Sequence, residues 1–535
     1  MQIHDFTWIF GVGMVAAFVD AYGIGANDVA NSFANAVSAG SLTLSQACMI
    51  ACFTEFFGAL LLGSGTSETI KGGILSVERF VDRPELLMLA MLCAVIGSAT
   101  WVLFATKRGW PVSSTHSVVG AVIGVGIAAF GGEAVDWSWS GVAQIIASWF
   151  MSPVIAGLVA AFFYTITKYA VFRRVDSFNC GLRLVPFYFF ITTVVEAFYI
   201  IYKGAPALGA SQMPIAHIVG ISLGVGVFFA LFACFFFCPY LRRRLKENED
   251  LKWYHVFVMP VLKKRPMIKQ EDVEMHAPAT NEIVSTDNHP ASSESSDPSS
   301  MKVWGDVQAV QSELKQDGWR SKLSTYKIRA IDMALHGIRK DVRNLGNEEL
   351  KHLHAAAELY EDEAEYMFKI LQVLTACMAS FAHGSNDVSN AVGPLAAIFG
   401  IWNTAEVDVA GKVPVPIWIL AYGGVAIDLG LATMGYKVMR KMGNNITYVT
   451  PSRGFCAELA AALTVLTCSK LGLPVSTTHC ITGATAAIGL CNGNLKAVNW
   501  KMLGWCFFSW FLTLPAAGLV AGLLFSFSAY APSLV

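Results

Sequence analysis

A seven-residue segment occurs twice in this chain, and its position limits what the chain can fold into. Gly25-Ala26-Asn27-Asp28-Val29-Ala30-Asn31 returns as Gly384-Ser385-Asn386-Asp387-Val388-Ser389-Asn390, 359 residues later. Each copy sits midway along an apolar stretch of more than thirty residues. A carboxylate near the centre of a bilayer costs roughly 2.5–3.5 kcal/mol on insertion scales, so two of them call for a purpose. The simplest is to hold something positive.

Composition supports the membrane reading. Of 535 residues, 54% are apolar and 14% charged, too few charges to cover a soluble protein of this size. A net charge of −1 argues against a nucleic-acid partner. The first apolar stretch lacks a basic leader and a cleavage site, so 7–39 reads as a retained helix.

Apolar runs fall at 7–39, 45–62, 86–106, 112–130, 139–165, 184–201 and 215–239, then at 366–402, 416–439, 453–470, 475–490 and 503–530. The expected fold is an all-α polytopic membrane protein of about 12 transmembrane helices in two inverted-topology repeats. The runs at 112–130 and 475–490 are short and rich in hydroxyls at their starts, so either can be re-entrant. The chain divides into a first transmembrane repeat (1–165), additional transmembrane helices (166–240), a polar loop (241–365) and a second repeat (366–535).

Lysine and arginine set the orientation. Lys107, Arg108, Lys168, Arg173, Arg174, Arg183, Arg242, Arg243, Arg244, Lys437, Arg440, Lys441, Arg453, Lys496 and Lys501 collect on one side, against Lys71, Arg79, Arg83, Lys203, Lys412 and Lys470 on the other. Both termini should therefore be extracellular and the central loop cytoplasmic. The first part of that loop, with Ser285-Thr286-Asp287 and Ala291-Ser292-Ser293-Glu294-Ser295-Ser296, is too polar to build a core and is expected to be disordered. Its second part, about 305–365, has helical periodicity.

Two further landmarks repeat in the same order. Lys107-Arg108-Gly109-Trp110-Pro111-Val112-Ser113-Ser114-Thr115-His116 matches Lys470-Leu471-Gly472-Leu473-Pro474-Val475-Ser476-Thr477-Thr478-His479, and Ser148-Trp149-Phe150 matches Ser509-Trp510-Phe511. The offsets of 359, 363 and 361 residues indicate a duplication. Matching runs are seven elements apart, an odd number, so the halves point in opposite directions. Inverted repeats with intramembrane acids are the signature of secondary transporters, which bind substrate between the repeats and alternate access around it.

The motifs suggest two chemistries. Gly23, Gly25 and Gly384 allow a helix to unwind at mid-membrane, which would free carbonyls beside Asn27, Asp28, Asn386 and Asp387. Those hard oxygens suit a monovalent cation; the alternative is that the asparagines bridge helices by hydrogen bonds. In the Pro-Val-Ser elements, Ser113, Ser114, Thr115, Ser476, Thr477 and Thr478 line helix N-termini whose free N–H groups favour an anion. Ordinary capping by Ser113 and Ser476 is the competing reading. His116 and His479 fit either packing or contact with the anion.

Glu55 and Glu458 are further intramembrane acids. Aligned through the proline motif, Glu458 falls opposite Val95, and Asp428 is the looser counterpart of Glu55. Broken symmetry points to a directional role, although Glu458 could instead pair with Arg453. Carboxylates beside an anion repel it unless a cation lies between them, so cation binding should precede or accompany anion binding. A dianion entering an inside-negative cell faces roughly 4.6 kcal/mol per 100 mV, which two cations cancel. Coupled uptake follows.

These residues resemble the inorganic phosphate transporter (PiT) family, through Gly25 to Asn31, His383 to Asn390 and both Pro-Val-Ser-x-Thr-His motifs. The layout is similar to the sodium/phosphate symporters of fungi and other eukaryotic microbes. The resemblance covers both membrane halves and lapses across the central loop. It implies a sodium-driven phosphate importer of the plasma membrane, commonly a homodimer, without an organic cofactor. It further implies that Asn27, Asp28, Asn386 and Asp387 serve sodium, that the six Ser/Thr positions contact phosphate, and that Glu55 and Glu458 are acids needed for transport. Ser385 and Ser389 replace the commoner alanines of the second signature. The rivals are a proton-coupled phosphate or sulfate permease of the same fold and a phosphate-sensing receptor. An intramembrane hydrolase fits poorly, because a motif facing opposite leaflets is a poor basis for one triad.

Overall fold

The computed structural model describes residues 2–64, 74–139, 141–202, 213–267, 348–409, 415–471, 473 and 475–531. The polar stretch around Ser285 to Ser296 and the periodic stretch up to 347 lie outside the described residues. Two compact units are present: residues 1–238 with 337–535, and residues 239–336. In the described part of the smaller unit, the Arg243 guanidinium bonds Glu249 and holds its carboxyl below the usual range.

The larger unit is helical throughout its membrane elements: α1 (Thr7–Asn27), α2 (Val29–Ser38), α3 (Leu44–Leu62), α4 (Pro84–Arg108), α5 (Ser114–Phe130), α6 (Val142–Thr167), α7 (Ser177–Tyr202) and α8 (Ile215–Phe232). The chain continues with α9 (Cys238–Leu245), α10 (Glu348–Ala355), α11 (Asp362–Thr404), α12 (Ile417–Met434), α13 (Tyr436–Ile446), α14 (Pro451–Lys470), α15 (Thr477–Leu490) and α16 (Trp500–Tyr530). Each of the twelve apolar runs contains a helix. Among the described residues, eight helical stretches are long and apolar enough to cross a membrane. α11 and α14 are long enough too, but their signature, arginine and glutamate side chains lower the mean hydropathy. α5 and α15 have 17 and 14 residues, so they rise only about 26 and 21 Å, short of a hydrocarbon core of about 30 Å. Both are too short to span.

Local sequence explains the ends of these elements. α11 opens with Asp362, Glu363 and Glu365, whose charges complement the positive end of the helix dipole. It closes at Ala405, which turns left-handed (φ 59°). α4 ends at Gly109 (φ 66°), which reverses the chain toward Pro111. Ser113 then caps α5 by accepting the His116 N–H at 3.3 Å, and Ser476 does the same for α15 with His479 at 3.3 Å.

The two halves pack by one rule applied twice. Along α1 and α12, Met14 meets Tyr422 and Tyr22 meets Thr433, so these helices run parallel. Along α3 and α11, Thr54 meets Ser380 and the Gly63 carbonyl meets Ser389, again parallel. His116 on α5 lies 3.4 Å from the Trp510 carbonyl, and His479 on α15 lies 3.2 Å from that of Trp149. The signature helices themselves oppose each other. His4 bonds Trp402, Phe10 packs on Trp402 and Phe399, and Gly13 faces Ile398 and Leu395, so α1 ascends as α11 descends. The repeat is inverted.

Three expectations need correction. The second signature does not unwind: α11 is continuous through 384–390, and the first half breaks only at Asp28, whose backbone stays in the right-handed helical region. The glycines there serve close packing instead, and the oxygens on offer belong to side chains. Asp428 is not the counterpart of Glu55: the backbone carbonyl facing Gly384 is that of Glu55, and the one facing Gly25 is that of Ile427. Nor does Arg453 pair with Glu458. It is buried and donates to Tyr164 Oη, to the Tyr448 and Glu358 carbonyls, and to Asn492 Oδ1. Replacing Arg453 by methionine should cost about 2 kcal/mol by leaving these acceptors unmet, read as a lower melting temperature in detergent. An unchanged melting temperature would show that water or another donor replaces it.

Candidate functional site

The N-termini of α5 and α15 meet at the centre of the larger unit. Thr115 Oγ1 lies 3.4 Å from the Val475 carbonyl oxygen, and Thr478 Oγ1 lies 3.3 Å from that of Val112. These two contacts are equivalents under the repeat, so the tips face each other from opposite directions. The tip residues 113–115 and 476–478 are buried.

The signature segments border both tips. Asp28 Oδ2 accepts the Ser114 N–H at 3.2 Å, and its Oδ1 accepts the Thr478 hydroxyl at 2.9 Å. One carboxylate therefore touches a helix tip from each half. Asp387 Oδ2 accepts the Thr477 hydroxyl at 2.9 Å. Asn27 bridges: its amide donates to Thr106 and to the Trp110 carbonyl, and its oxygen accepts the Val112 N–H at 3.1 Å. Asn386 differs. Its amide reaches Asp387 Oδ1 and the Val475 carbonyl, while its oxygen is buried without a hydrogen-bond partner.

Ser113 and Ser476 use their oxygens as caps, which leaves Ser114, Thr115, Thr477 and Thr478 as the hydroxyls turned to the signatures. Asn31 and Asn390, each one turn beyond its Asn-Asp pair, cross to the opposite half. Asn31 donates to Thr478 at 2.7 Å, and Asn390 donates to Ser114 and Thr115 at 3.0 and 3.2 Å. Both close the repeated motif and share a helix face with the acid before them, which is the signal that would have singled them out.

Glu55 belongs to a network that joins the two halves and has no equivalent under the repeat. Its Oε2 lies 2.7 Å from His383 Nδ1, and its Oε1 accepts the Ser380 hydroxyl at 2.7 Å. The other ring nitrogen of His383 lies 2.8 Å from Asp387 Oδ2, an ionic contact not aligned as a hydrogen bond. The imidazole can serve both carboxylates only when both nitrogens carry hydrogen. Under the repeat, Ala21 and Ile24 of the first half correspond to Ser380 and His383, and Ile427 of the second half corresponds to Glu55. His383 stands four residues before Asp387, on the same face of one helix, a spacing that could have drawn attention to it. Atoms of Asp28, His383 and Asp387 lie within 4.8 Å of one another, a grouping able to hold a cation.

Glu458 lies elsewhere. It accepts Gln372 at 3.2 Å and Thr375 at 2.8 Å, between α11 and α14. It has no direct contact with the tips. Ser41 in turn donates to Gln372 at 2.5 Å, so Glu458 is linked through one side chain to the loop after α2.

A model described as the phosphate transporter family matches residues 24–521. The chain is 35% identical over 587 residues to the phosphate-repressible phosphate permease pho-4 of Neurospora crassa, with 99% of each chain covered. It is 31% identical to sodium-dependent phosphate transporter 1 of Homo sapiens, covering 98% of this chain and 96% of that one. A solved structure titled the sodium-dependent phosphate transporter matches with a TM-score of 0.67 at 28% identity, over 98% of this chain and 99% of that chain.

Proposed function

The chain belongs to the phosphate transporter family, and on that premise we propose that it imports inorganic phosphate together with sodium, as a secondary active symporter alternating access about the paired helix tips. It is a multi-pass membrane protein and a transporter, not an enzyme. Phosphate sits between the tips of α5 and α15, met by Ser113, Ser114, Thr115, Ser476, Thr477 and Thr478. Sodium ions sit with Asn27, Asp28, Asn386 and Asp387. Glu55 and Glu458 couple movement to occupancy, Glu55 through His383 and Glu458 through Gln372. The protein works in the plasma membrane as a homodimer, with both termini outside, the 241–365 loop inside, and no organic cofactor.

The observation that carries this reading is Asp28, which accepts one hydrogen bond from each half. Among the described residues no lysine or arginine bonds to the tips or to the signature acids. Their charge is then balanced by bound cations and helix dipoles, with the His383 imidazole beside Asp387. Carboxylate oxygens no more than 4.8 Å apart repel by at least about 3.5 kcal/mol at an effective dielectric of 20, so a cation between Asp28 and Asp387 stabilises the site before phosphate arrives. Burial of the whole cluster supports a state closed to both sides.

One observation favours a proton in place of one sodium: His383 held between Glu55 and Asp387. Uptake of radiolabelled phosphate into proteoliposomes separates the readings. With an inward sodium gradient, uptake should exceed that with choline by at least about tenfold at both pH 6 and pH 8, the effect of one lost strong ionic contact. Equal uptake in choline at pH 6 would replace sodium by protons. Competition by sulfate at equal strength would replace phosphate as the cargo.

A further inference from the structure

Asp20 is an intramembrane acid that the site above does not use. It lies on α1 two turns before Asp28 and is 0% exposed. Its Oδ1 accepts the Ser98 hydroxyl of α4 at 3.0 Å, and its Oδ2 has no hydrogen-bond partner. Among the described residues no lysine, arginine or histidine pairs with it. A carboxylate oxygen at this depth without a donor calls for a positive partner from outside the chain.

The position is tied to the transport site. Ser117 of α5 donates to the Ser98 carbonyl at 3.3 Å. One turn nearer the tip of the same helix, the Ser114 N–H reaches Asp28. Asp28 thus meets this short helix directly and Asp20 is linked to it through Ser98, the two acids being about 12 Å apart along α1. The other half has nothing similar. There Ala379, Ala461 and Cys480 occupy the positions of Asp20, Ser98 and Ser117. A need of the fold shared by both repeats would have an equivalent in each. This one serves a single half.

Resting on the sodium-coupled reading, we propose that Asp20 and Ser98 form a third sodium site, from which the ion passes along α5 to Asp28. A carboxylate and a hydroxyl are hard oxygen donors suited to a small hard cation. Transport would then depend on one more sodium ion than the paired signatures alone provide.

The test is phosphate uptake into proteoliposomes as a function of sodium concentration, for the unaltered protein, Asp20→Asn and Ser98→Ala. Asp20→Asn should raise half-saturating sodium about fivefold or more and lower the Hill coefficient by about one, with phosphate affinity at saturating sodium unchanged. Ser98→Ala should shift the sodium curve the same way by about two- to threefold, the effect of one hydrogen bond to the ligand-bearing carboxylate. An Asp20→Asn curve that overlies that of the unaltered protein overturns the proposal. So does a change confined to the pH profile at fixed sodium, which would make Asp20 a proton carrier. If Asp20→Asn does not reach the vesicles, Ser98→Ala decides, and an unshifted curve there rejects the site. Sodium-independent uptake by the unaltered protein would instead reject the symport reading itself.

Discussion

Replacing Asp28 by asparagine is expected to lower sodium-driven phosphate uptake by roughly 150- to 4000-fold while leaving the protein folded in the membrane. The size follows from what Asp28 does at once. It is the acid that touches both helix tips, through Ser114 and Thr478, and it shares a cation-sized space with His383 and Asp387. Losing one partner of a buried charge pair costs about 3–5 kcal/mol, because the other charge is left uncompensated. On the proposed reading that other charge is the sodium ion. Without it, a phosphate dianion faces the membrane potential alone, roughly 4.6 kcal/mol per 100 mV. Asparagine preserves the volume and can still accept one hydrogen bond, so the helices should stay packed. Uptake should be measured alongside surface abundance, over a range of sodium concentrations. A variant retaining more than a tenth of normal uptake with an unchanged sodium requirement would remove Asp28 from the cation site.

Much of this arrangement was legible because it is written locally and twice. The tip motifs carry proline, a capping serine and hydroxyls within ten residues, and the capping serine and the helix start behind it fold the same way in each half. Counting elements between the copies was enough to oppose α1 and α11. What could not be read were contacts between helices distant in sequence. Nothing near Asp20 announces Ser98, and nothing near Glu55 announces His383, since each pairing depends on which helices become neighbours. The misplacement of Asp428 has a similar cause. α3 and α12 lack a shared landmark, and an error of one residue turns a side chain by about 100° around the helix axis. The expected unwinding at Gly384 failed for another reason. Glycine permits a break but does not demand one, and here the missing side chain admits a neighbouring backbone.

That close approach sets the second large effect. Gly25→Ala should destabilise the protein by at least about 3 kcal/mol, beyond the usual cost of overpacking because the obstacle is backbone. A Cβ at Gly25 would lie 1.8 Å from the Ile427 carbonyl oxygen, and one at Gly384 would lie 2.3 Å from that of Glu55. Neither carbonyl can rotate away while its helix stays intact, so α1 must part from α12, or α11 from α3. The two variants differ in what else they disturb. Gly25 faces Ile427, which takes no part in the ionic network, so its loss should appear chiefly as a lower melting temperature and reduced yield. Gly384 faces Glu55, whose carboxylate holds His383 at 2.7 Å. Gly384→Ala should therefore impair uptake even in the fraction that folds. Gly11→Ala supplies the control, since nothing lies within 4 Å of a Cβ there and alanine favours the helix by up to about 1 kcal/mol. Equal melting temperatures for Gly11→Ala and Gly25→Ala would mean that the two repeats do not interlock through these glycines.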